Sequence, residues 1–132
     1  MKKLLILTSL VALFAYQAPA QTTVAVKNAS RHIGQTVKIC DKVFSGKLIE
    51  PSNITLLDIG GDEPSQGLTI MIPGADRTKF KGKPEIDYTG KDVIVTGKLA
   101  TYKGKPEIVI TDPKQLKIIL IDNSRGPLIS VK

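Results

Sequence analysis

The chain has 132 residues, 42% of them hydrophobic, and carries 19 Lys and Arg against 12 Asp and Glu, a formal net charge of +7. That length fits one domain with one modest core. A single cysteine (Cys40) excludes an intrachain disulfide, a single histidine (His32) argues against a histidine-built metal centre, and the basic surplus suits either polyanion binding or plain solubility.

Lys2-Lys3 precedes an almost unbroken apolar run from Leu4 to Tyr16, and Ala18-Pro19-Ala20 has the small-x-small pattern of a signal-peptidase site. The apolar run, about 13 residues, falls short of the roughly 20 that span a bilayer. The reading is a cleaved signal peptide over 1–20, with an uncleaved anchor as the other possibility. A mature chain from Gln21 would carry a net charge of +5, have no membrane span and be periplasmic or secreted.

Residues 21–28 form a lead-in without a firm assignment. Asn28 can cap a short helical turn through Ile33, which Gly34 would end. Thr36 to Ile49 predicts the first long strand, with Val37 and Ile39 on one side and Lys38 on the other. Its alternation breaks at Asp41-Lys42, which suggests a bulge that bends the strand, as a small closed barrel requires. Within this stretch Cys40 is expected to be a buried, inert thiol. Glu50 to Asn53 is a turn, Ile54 to Ile59 the second strand, and Gly60 to Gly67 a loop. Asp62 and Glu63 in that loop lack the spacing of a calcium site.

Leu68 to Ile72 is the third strand, stopped by Pro73-Gly74. A short helical turn is expected over Ala75 to Phe80, then irregular chain because of Gly82 and Pro84. Lys91 to Asp112 predicts strands four and five joined by the turn Lys103-Gly104-Lys105-Pro106. Val93, Val95, Leu99, Ile108 and Ile110 are the expected core of this hairpin. Asp112 to Leu116 closes the unit. The tail 117–132 holds the apolar piece Ile118 to Ile121, suited to an edge strand or to loose chain. The domain is thus placed at 29–116. Phe80-Lys81-Gly82-Lys83-Pro84-Glu85-Ile86 echoes Tyr102-Lys103-Gly104-Lys105-Pro106-Glu107-Ile108, each copy setting an aromatic beside two lysines and a turn.

These five strands, with a linking segment after the third, predict an all-β, five-stranded OB-fold Greek-key barrel with short helical segments. Five blocks carry a resemblance: Gly34 to Cys40, Leu57 to Gly60, Thr69 to Gly74, Asp76 to Phe80, and Gly90 to Gly97 with Tyr102 to Pro106. Together they resemble small exported bacterial OB-fold proteins of the nucleic-acid-binding type. The sequence departs from that pattern at Asp41, where glycine is usual, and at Ile94, where a second cysteine often stands. The resemblance implies that any bridge between those two cysteine positions is lost here.

The resemblance and the fold imply a non-enzymatic binding module for single-stranded nucleic acid or another polyanion. An OB barrel binds through the outer face of its second and third strands and the loops joining strands one–two and four–five. Lys47 is assigned to the first of those loops, and Tyr102, Lys103 and Lys105 to the second. Lys98, Arg77 and Lys83 complete the candidate set. Leu56, Asp58, Thr69 and Met71 are the expected outward positions on strands two and three, and they include no aromatic residue. The alternative is an envelope adaptor whose Leu56 and Met71 patch contacts a protein or glycan partner. A nuclease of the OB-barrel type would need a carboxylate group and arginines over phosphate. Asp58, Asp62, Asp76 and Asp87 with Arg77 and Arg125 lack that spacing, and no catalytic motif, cofactor site or metal site is expected.

Overall fold

The computed structural model describes residues 22–61, 66–122 and 128–131, with side chains to residue 120. The expected signal segment 1–20, Asp62, Glu63 and Arg125 lie outside the described residues. The elements are β1 (Thr22–Thr23), a 3-10 helix (Val26–His32), β2 (Thr36–Ile49), β3 (Ile54–Ile59), β4 (Leu68–Ile72), α1 (Gly74–Arg77), α2 (Pro84–Asp87), β5 (Asp92–Tyr102), β6 (Lys105–Val109), a 3-10 turn (Pro113–Gln115), β7 (Leu116–Asp122) and β8 (Leu128–Val131).

β2 to β6 are the five expected strands, and they close into a ring. β2 pairs antiparallel with β3, β3 with β4, β4 parallel with β6, β6 with β5, and β5 returns to β2. This is the OB-fold barrel. Three further strands extend the sheet beyond 29–116: β1 lies parallel to β2, β7 pairs with β5 at Val93–Val95, and β8 pairs with β7. The apolar piece Ile118 to Ile121 therefore lies in a strand.

Closure depends on β2. Its first half, Thr36–Lys42, pairs with β5, and its second half, Val43–Ile49, pairs with β3. The register shifts between Val43 and Ser45, so the bulge falls two residues after the expected Asp41-Lys42. Phe44 is the residue left over, and it points outward, 45% exposed. Asp41 has no positive φ, so glycine is not needed there.

Alternation then fills the interior. Val37, Ile39, Leu57, Ile59, Ile70 and Leu99 are fully buried, as are Val93, Val95, Ile108 and Ile110 of the expected hairpin core. Side chains of this size each contribute about 1.5–3 kcal/mol on burial. The same alternation that buries Ile39 turns Cys40 outward. It is exposed and sits directly opposite Ile94 on β5, which corrects the expectation of a buried thiol.

α2 corrects the expectation of irregular chain after Gly82. Pro84 occupies the first helical turn, where a missing N–H costs nothing. α2 packs across the bend of β2 so closely that a Cβ on Gly46 would run into the Glu85 carbonyl. Glu85 is held from its other side by Arg77 of α1, whose Nη2 donates to both carboxylate oxygens at 2.8 Å. Burial pushes the Glu85 carboxyl up, but the Arg77 hydrogen bond, its own backbone N–H and the charges of Arg77 and Lys83 outweigh it. Its pKa lies below the ordinary carboxylate value.

Gly46→Ala tests this packing. Overpacking against backbone costs about 1–3 kcal/mol, so the urea midpoint should fall. An unchanged midpoint for Gly46→Ala would show that α2 does not press on the bend.

Candidate nucleic-acid interface

The outer face of the barrel carries a groove of about 510 Å³. Its floor follows from strand register. One row across the sheet reads Lys47 (β2), Leu56 (β3), Met71 (β4) and Val109 (β6). The next reads Ser45, Asp58, Thr69, Glu107 and then Ala100 of β5. The first row is apolar between its ends and the second is polar, so the floor is split lengthwise. Ile49 and Ile54, paired across the β2–β3 end, extend the apolar part.

The β5–β6 hairpin forms one wall. Lys103 takes a positive φ of 49° and Gly104 one of 77°, the geometry of the tight turns that match strand twist. Tyr102 and Lys105 face each other across the turn. The Tyr102 ring remains 60% exposed, and the Lys103 ammonium stands over it at 5.4 Å, within cation–π reach.

Four of the seven residues singled out from sequence line this groove: Lys47, Tyr102, Lys103 and Lys105. Lys47 belongs to β2 rather than to the following loop, and it reaches the groove from the wall opposite the hairpin. Leu56, Asp58, Thr69 and Met71 line it as their alternation predicts. The other three residues are elsewhere. Lys98 is exposed on β5 opposite Thr36. Arg77 is committed to Glu85. Lys83 precedes α2 and its backbone N–H donates to Asp87.

The sequence echo does not form a second half of the site. Phe80 is buried and packs edge-on against Tyr88, 6.4 Å between ring centres. Its segment leaves β4 at the Ile72 end, whereas the parallel β4–β6 register places the Lys103-Gly104 turn beyond the Leu68 end. The shared Lys-Gly-Lys-Pro is turn chemistry, opening a helix in one copy and a strand in the other.

Glu107 is the groove residue that charge-based reading missed. It is only 9% exposed, and burial raises its carboxyl pKa. The signal was the alternation Lys105-Glu107-Val109, which puts all three on one face of β6. Three lysines face two carboxylates, Asp58 and Glu107, in this lining. Asp58 accepts a hydrogen bond from the Ser45 hydroxyl at 2.9 Å. Among the described residues no group of three or more His, Cys, Asp or Glu could hold a metal ion. Asp76 is engaged by Lys79 at 2.7 Å and Asp87 by the Lys83 N–H.

No protein-family model and no curated protein sequence matches the chain. Among solved structures it is similar to yeast Stn1 and Ten1, with 17% identity, a TM-score of 0.53 and coverage of 80% of this chain and 65% of that one. It also matches an aspartyl-tRNA synthetase from Leishmania major at 16% identity and a TM-score of 0.47, over 74% of this chain and 21% of that one. This chain thus spans less than two thirds of each. The likeness to the yeast structure is one of fold.

A buried carboxyl with a raised pKa weakens the fold as pH rises. Glu107 binds its proton more tightly folded than unfolded, so stability falls from the unfolded pKa up through the folded one, then levels off. Glu107→Gln removes that penalty. Thermal melts should show the variant gaining on the wild type between pH 4 and pH 8, and a difference independent of pH would place the carboxyl in water.

Proposed function

We propose that the groove binds a short single-stranded nucleic-acid segment and that the protein is a binding module rather than an enzyme. The observation that carries this reading is Tyr102, exposed beside Lys103 and Lys105 at one wall of a half-apolar floor, with Lys47 at the other. Exposed aromatics that stack on bases and cations that meet the backbone are the common means of gripping single strands, and stacking contributes about 1–3 kcal/mol per base. With one aromatic in the lining, a single base is gripped strongly. Three lysines against two carboxylates favour this over a general polyanion clamp, which would need a larger excess of positive charge.

Fluorescence anisotropy with single-stranded oligonucleotides over a salt series tests it. Three phosphate contacts predict a slope of log K against log salt of about −2, because single strands give roughly −0.7 per contact. Tyr102→Ala should weaken binding by on the order of tenfold with the slope unchanged, and Lys103→Ala with Lys105→Ala should flatten the slope. Binding that ignores salt, or none at low salt, would overturn the reading. It would leave the apolar Leu56 and Met71 floor as a surface for an envelope protein or glycan.

We further propose that residues 1–20 act as an export signal and that the mature protein works in the periplasm or outside the cell. Among the described residues no helix is long and apolar enough to cross a membrane. After expression in a bacterium with the leader intact, the exported fraction should yield protein whose first residue is Gln21. Protein retained in the cytoplasm with residues 1–20 attached would overturn the export reading.

A further inference from the structure

A glutamate in the groove floor that is only 9% exposed calls for an explanation. Glu107 sits on the outer face of β6, flanked across the strands by Thr69 on β4 and Ala100 on β5. Two residues along its own strand stands Lys105, and one strand beyond Thr69 stands Asp58, roughly 10 Å away at two strand spacings. No hydrogen bond or ion pair to Glu107 occurs among the described residues, while Asp58 is held by Ser45. An ionised carboxylate is an acceptor only, with room for two parallel N–H donors. Its oxygens are not among the buried atoms that lack a partner, so they open into the groove, where a ligand can supply those donors.

We propose that Glu107 reads the base held in the groove and selects guanine. This rests on the nucleic-acid reading above and names the base it prefers. A base lying against Tyr102 has its hydrogen-bonding edge free to face the floor. Tyr102 pairs with Lys105, and Glu107 is the next outward residue of β6, so the ring and the carboxylate lie on one face within one diagonal step. Guanine alone presents two adjacent donors on its pairing edge, N1–H and the N2 amino group, which match the two oxygens of one carboxylate. Adenine and cytosine each offer one amino donor beside an acceptor nitrogen. Thymine and uracil flank their single N–H with two carbonyl oxygens, which a carboxylate repels. Single-stranded bases are commonly read on this edge. The apolar row of Leu56 and Met71 excludes water from the pair, so the wrong base leaves Glu107 desolvated and unpaired.

The test compares an eight-residue thymidine oligonucleotide with one carrying a single central dG, by anisotropy on the full-length protein at fixed salt. A bidentate pair to a base is worth on the order of 5- to 100-fold in affinity, and the dG oligonucleotide should gain by that factor. Replacing dG by deoxyinosine, which keeps N1–H and lacks the N2 amine, should lose most of the gain with the protein unaltered. Glu107→Gln presents one acceptor and one donor, and it should bind dG and dT oligonucleotides alike, with dT affinity at least that of the wild type. Equal binding of dG and dT by the wild type overturns the base assignment while leaving the nucleic-acid reading in place. A dG preference that survives in Glu107→Gln, or that deoxyinosine retains in full, overturns the role of Glu107. Absence of binding to every oligonucleotide overturns both.

Discussion

The barrel depends on one strand serving two partners. β2 hydrogen-bonds to β5 over its first half and to β3 over its second, and the bulge between Val43 and Ser45 is where it changes direction. Without that extra residue the side chains after the bend would sit on the wrong faces, because a shift of one residue reverses every alternation. Val43 is buried on one side of the bulge and Ser45 meets Asp58 on the other. The bend also leaves room for one small residue only: Gly46 lets the Glu85 carbonyl close over it, and Arg77 anchors Glu85 in turn. The segment between β4 and β5 is therefore bound to the same point that closes the ring.

The groove is a consequence of the same register. Once β2, β3, β4 and β6 are paired, Leu56 and Met71 must lie side by side, and Asp58, Thr69 and Glu107 must form the next row. The floor is thus half apolar and half polar without any loop being specialised for it. Walls come from Lys47 at one edge and the β5–β6 turn at the other. Burial raises the pKa of the Glu107 carboxyl in that floor, so its ionised form opposes folding.

Much of this was legible in the residues. The bounds of the first three barrel strands follow from alternation and from the turns at Pro51 and Pro73, and the core of the β5–β6 hairpin follows from Val93, Val95, Leu99, Ile108 and Ile110. The outward set Leu56, Asp58, Thr69 and Met71 follows in the same way. Charge was a weaker guide. Lys98 and Lys83 are basic and exposed but lie away from the groove, and Arg77 is spent on Glu85, eight residues further along the chain. Nothing local distinguishes a lysine that faces a ligand from one that faces only water. Phe80 and Tyr102 carry nearly the same flanking sequence, yet one is core and the other exposed.

By itself the sequence determined which residues alternate and where the chain turns, and hence five strands, each with one apolar face to bury. That information is local, since a side chain's face depends on its neighbours two residues away. The tertiary structure decided the rest: the placing of the bulge, the exposure of Cys40 opposite Ile94, the separation of the two Lys-Gly-Lys-Pro turns, and the meeting of Lys47, Tyr102 and Glu107 around one floor. The β2–β5 pairings behind them join residues up to 62 positions apart. They are fixed by ring closure and strand register, which no short stretch of the chain encodes.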